Sequence, residues 1–172
     1  MTEQASPLAT FYKPGWENYQ QAIIKTIASL SSEQLALPMG PHYLSIGELL
    51  VHMLGARTVW FSAWMGEENA AMAHRGESSE SGVPEAAELV AMFEETWRVI
   101  SSALERWTSA DLEQLILPPT SIQEWLRSRG AEEETAHTRQ WIVWHVMEHE
   151  IHHGGELSLA LGTHGVEGFY TW

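Results

Sequence analysis

The sequence predicts an all-α protein, and within that class a four-helix bundle. Apolar residues recur at three- and four-residue steps in four separate stretches. Recognisable start and stop signals bracket those stretches. No alternating strand pattern and no internal repeat is found along the 172 residues. A chain of this length is expected to form one domain, residues 1–172, with a sizeable core.

Residues 1–10 are polar and are expected to lie loosely on the surface. The first helical pattern runs through Trp16, Tyr19, Ile23, Ile24, Ile27 and Leu30, with Pro14-Gly15 near its start and Ser31-Ser32 at its end. A short turn over Ser32–Leu35 leads into the breaker cluster Pro38-Met39-Gly40-Pro41. Ser45 followed by Glu48 is a capping-box signature, which opens a second helix through about Trp64, closed by Gly66. Its apolar arc is Ile46, Leu49, Met53, Ala56, Trp60 and Trp64, and His52 lies on the flank of that arc.

Residues 66–84, rich in Gly, Ser and Glu, read as an exposed loop. Pro84 suits the start of a third helix, whose buried stripe is Leu89, Phe93, Trp97, Ile100, Leu104 and Trp107. Ser109–Leu112 begins a short turn. Between Leu115 and Thr135 the signals are mixed: Pro118-Pro119 breaks the chain, Ser121–Glu124 could cap one or two helical turns, and residues 129–134 are solvated. A fourth helix runs from Thr135 or Thr138 to Leu161, with Gly162 as the residue just past its end. It is apolar nearly all round (Trp141, Ile142, Trp144, Val146, Met147, Ile151, Leu157), as a buried helix is. The tail from Thr163 to Trp172 carries aromatic and apolar residues suited to docking on the body.

Composition narrows the function. The formal charge of −14 argues against nucleic acid and anionic membranes as partners. There is no cysteine, so any metal must be held by nitrogen and oxygen. No apolar run approaches the ~20 residues of a membrane span, and the N-terminus lacks the apolar segment of a signal peptide. The expected location is the cytoplasm.

The chemistry concentrates in the fourth helix, where His145, His149, His152 and His153 fall within one short stretch. His149 and His153, four residues apart, lie one above the other, as two ligands of one ion require. His145 precedes them by the same step. His52, the only other histidine in a long predicted helix, is the natural third ligand, leaving coordination positions open for water or substrate. The plain alternative is that these are core histidines bonded to one another and to Glu148 or Glu156. So many desolvated imidazoles would be costly without an ion. His145 and Glu156 are expected beside the bound cofactor; Glu48 and Glu156 are both placed to accept a proton-bearing ring nitrogen of a ligating histidine.

His149-Glu150-Ile151-His152-His153 also reads as H-E-x-x-H, the zinc-protease motif in which the glutamate activates water. The extended motif fails, because Glu156 stands where its glycine belongs, and no strand precedes it. The expectation is that the protein cleaves no peptides and that Glu150 lies at the edge of the site.

Ser45–His52 with Ala56–Phe61, and His149–Leu157, resemble the second and last core helices of the DinB/YfiT-like four-helix-bundle family. The likeness extends to the Trp16 helix, the turn at 30–35 and Trp60–Gly66, and so covers most of the chain. It implies a bundle in which three histidines bind a divalent metal: His52, His149 and His153. Members with known activity include thiol-dependent transferases and isomerases using low-molecular-weight thiols, and many form homodimers. This chain has Gly154-Gly155-Glu156 where members often carry Arg-Gly-Gln, so the fixed cation that would favour an anionic substrate is missing.

Two function classes follow. One is a divalent-metal-dependent enzyme, a low-molecular-weight-thiol S-transferase or related hydrolase acting on a small molecule. The other is a non-catalytic, metal-stabilised binding or stress-related protein. Zinc and nickel both suit three imidazoles. An open coordination position favours the enzyme; a fourth protein ligand, such as His145 or Glu48, favours the second class.

Overall fold

The computed structural model describes residues 7–41, 43–67 and 82–168. The elements run α1 (Pro7–Phe11), α2 (Lys13–Ala28), α3 (Ser32–Leu35), α4 (Ile46–Arg57), a π-helical continuation (Thr58–Trp64), α5 (Ala86–Arg106), α6 (Ser109–Glu113), β1 (Leu115–Ile116), α7 (Thr120–Ser128), β2 (His137–Thr138) and α8 (Arg139–Thr163). The protein is all-α in class, and α2, α4, α5 and α8 are the long helices of a bundle. Helix α2 packs on α5, α5 on α4, and α4 on α8.

Local chemistry explains where the helices begin. Ser31, Ser45 and Thr108 each form a complete capping box, with Gln34, Glu48 and Asp111 reaching back to the cap nitrogen. Thr138 caps α8 by accepting from the Trp141 backbone. Gly66, at φ +70°, turns the chain out of the π segment, a conformation that needs no Cβ.

In the π segment each backbone bond spans one residue more than in an α-helix. This rolls Phe61 and Trp64 into the core and leaves Trp60 partly buried on the side of α8.

The core has two storeys. Trp16, Phe61, Trp64, Trp97, Ile100, Leu104, Trp107, Ile142, Val143 and Val146 fill one end. Ile23, Ile27, Leu49, Met53, Leu89, Phe93, Leu157 and Leu161 fill the other. Between them lies a buried polar layer to which each long helix contributes one residue: Gln20, Arg57, Thr96 and Glu150. Arg57 donates to both carboxylate oxygens of Glu150, at 2.5 and 2.9 Å, to Gln20 Oε1 at 2.5 Å and to Thr96 Oγ1 at 3.0 Å. Trp16 Nε1 donates to Glu150 Oε2 at 2.8 Å.

Several sequence expectations are corrected. Residues 7–11 are helical and pack against α2 and α5, with Leu8 buried in the tryptophan-rich storey, because apolar burial holds down a segment that its polar neighbours made look loose. A two-residue antiparallel ladder, Leu115 with Thr138 and Ile116 with His137, closes the base of the 115–138 excursion; it is too short to show alternation. Helix α8 ends at Thr163, with Gly165 rather than Gly162 taking the positive φ. Nor is α8 buried all round: Trp144 is 53% exposed and Ile151 49%. The loop expected over 66–84 falls mostly outside the described residues. No helix among the described residues is long and apolar enough to cross a membrane.

Candidate metal centre

The capping box at Ser45 fixes the start of α4, and two helical turns later His52 emerges on the side facing α8. There the i, i+4 pair His149 and His153 meets it. The His52 ring centre lies 4.9 Å from each of the other two, and His149 and His153 lie 4.3 Å apart. One ring nitrogen from each of the three falls within 4.8 Å of the others. The Nε2 atoms of His52 and His149 are 3.1 Å apart, near the roughly 3.3 Å that two ligands at ~2.0–2.1 Å on one tetrahedral ion would show.

Electrostatics suits the same role. Burial, reinforced by the neighbouring His153 and His52, pushes the His149 pKa down to about 4. Burial also lowers the pKa of His52, with His153 adding to the effect, and burial lowers that of His145. These rings are therefore neutral at pH 7 and keep a lone pair for a cation. His149 Nδ1 is buried with no hydrogen-bond partner among the described residues, which leaves Nε2, facing His52, as the nitrogen this ring presents to a ligand.

The neighbours divide. Glu156 accepts a 2.7 Å hydrogen bond from His153 Nδ1, which leaves Nε2 of that ring for a ligand. The His153 bond is also the main reason the Glu156 pKa is lowered. Glu48 does not take part: its carboxylate is engaged by the backbone and hydroxyl of Ser45, 2.7 and 2.8 Å away. His145 stands beside the group, its ring centre 6.3 Å from His149, and does not join the three converging nitrogens. His152 is exposed and approaches Glu156 rather than His52. Glu150 points away from the site altogether, into the buried ion pair with Arg57. The literal H-E-x-x-H string thus has its glutamate on the wrong side of the helix to activate water.

An aromatic wall adjoins the centre. His137 stacks on Trp141 at 3.7 Å and Trp141 on His145 at 4.9 Å, with interplanar angles of 11° and 9°. Trp60 meets the rings of His137, Trp141 and His145 edgewise, and Trp64 packs behind it. His137 was not expected here. Its signal was present: 137, 141, 145, 149 and 153 form one row at four-residue spacing, which continues one step before the helix begins.

No curated protein matches the chain. A crystal structure of a DinB-like protein from Bacillus cereus is similar in fold, with a TM-score of 0.68, at 16% identity over 92% of this chain and 94% of that one. The family model described as the DinB family matches residues 1–170. With the bundle and its converging histidines in view, the chain belongs to the DinB family, a metal-binding helical family.

Proposed function

We propose that the chain is a divalent-metal-dependent enzyme, with His52, His149 and His153 holding zinc or nickel. The carrying observation is that three imidazoles converge while the described carboxylates and His145 stay out of the group. Three protein ligands leave room for an exogenous one. When bound, the ion keeps its full charge among neutral ligands and lowers the pKa of a thiol or water.

The chain's own residues would do the rest. Glu156 holds the ring of His153 in one orientation through Nδ1. His145, braced against Trp141 and Trp60, offers a neutral ring nitrogen to a substrate arriving beside His149. The reaction we favour is transfer of a low-molecular-weight thiol to a small electrophile, with hydrolysis as its relative. The competing reading, an ion that only stabilises the fold, is disfavoured because the Arg57–Glu150 layer already ties α8 to the other long helices. We also propose a homodimer, supported by exposed Trp144, Ile151 and Leu159 along the outer face of α8.

Elemental analysis of untagged protein, followed by a screen of electrophiles with several thiols, tests the reading. Consumption of an electrophile that needs added thiol, metal and His52 is the expected result. Full metal content without turnover of any thiol and electrophile pair would favour the non-catalytic class.

A further inference from the structure

His153 belongs to two donor groups. Besides the three-histidine centre, one donor atom from each of His152, His153 and Glu156 lies within 4.8 Å of the others. Glu156 Oε2 is 2.7 Å from His153 Nδ1, and its other oxygen, Oε1, is 3.2 Å from His152 Nε2. The carboxylate therefore addresses two imidazoles at once. His152 and Glu156 stand at i, i+4, a spacing that places two donors one above the other on a helix. Their exposures are 61% and 43%, so an ion could enter and keep several waters.

We propose that His152, Glu156 and Nδ1 of His153 form a second divalent-cation site that shares the His153 ring with the three-histidine centre. This rests on the centre being a metal site. On filling, the proton on Nδ1 of His153 leaves to solvent and the nitrogen's lone pair binds the second cation. Glu156 then turns from acceptor of that proton to ligand. The deprotonated ring is then an imidazolate between the two cations, and their repulsion makes the second site the weaker one. The strongly negative chain, at −14, offsets part of that repulsion.

Zinc equilibrium dialysis on the full, untagged chain tests this, with circular dichroism to establish that each variant folds. The wild type is expected to take up two equivalents, the second at least tenfold more weakly. His152→Ala should retain only the tight equivalent, and His52→Ala only the weak one. His153→Ala should lose both, the signature of the shared ring. Saturation of the wild type at one equivalent overturns the proposal. So does a second equivalent that survives in His152→Ala, since it would sit elsewhere. A tight equivalent unchanged in His52→Ala would instead sink the three-histidine centre, a different failure with a different readout.

Discussion

Residues 149 and 150 are neighbours in sequence and opposites in environment. Glu150 is wholly buried, yet its carboxylate has Arg57 on both oxygens and Trp16 on one. His149, about 100° round the same helix, is partly exposed and turns its Nε2 towards His52. The comparison separates two uses of polar groups inside a bundle. A layer whose donors and acceptors are matched fixes the register of the long helices. A ring nitrogen turned out of that layer towards two other imidazoles is placed to take a partner from outside. The motif H-E-x-x-H joins the two in one string, and only their surroundings tell them apart.

The largest test of this contrast is Glu150→Ala. It leaves the Arg57 guanidinium buried without its anion and should cost about 3–5 kcal/mol in urea unfolding. The folded fraction should still load metal. Glu150→Gln should leave metal content unchanged, and peptide cleavage that depends on Glu150 would reverse the assignment.

His149→Ala is the converse. Stability without metal should change little, but added zinc should no longer stabilise the protein. The wild type should gain about 2.7 kcal/mol when free zinc is ~100 times its Kd. Equal zinc-induced shifts in the two proteins would show that His149 is no ligand.

A smaller effect is expected from pH. The folded pKa of His149 is lowered to about 4 from an ordinary 6.5. Between those values the unfolded chain binds the proton more readily, so stability of the metal-free protein is full above pH 6.5 and falls as pH drops towards 4. His52 and His145 act in the same direction. Denaturant midpoints measured across this range should flatten in His149→Ala. The smallest effect on metal belongs to His145→Ala, which should keep its full metal content while any turnover falls. Loss of metal there would make His145 a ligand.

Much of this was legible because it is local. Ser45 and Glu48 announce a helix start three residues apart, and His149 and His153 share a face wherever their helix lies. The stripe from Leu89 to Trp107 is buried as its spacing required. What stayed hidden depends on partners far along the chain. Nothing near Glu150 says that Arg57, 93 residues away, will claim it. The exposure of Trp144 and Ile151 was likewise unreadable, since an apolar face tells nothing of whether a neighbouring helix covers it.

The π segment at Thr58–Trp64 carries a consequence for comparing this chain with its relatives. A turn that consumes one residue more than an α-turn amounts to a one-residue insertion absorbed without breaking the helix. A relative with one residue fewer between Arg57 and Met65 could run straight α-helix there and still keep His52 in register with its partners. What would change is the rotation at which Trp60 meets the stacked rings of α8. Length differences at this point in an alignment therefore mark differences in the wall beside the histidines, while the histidines themselves stay aligned.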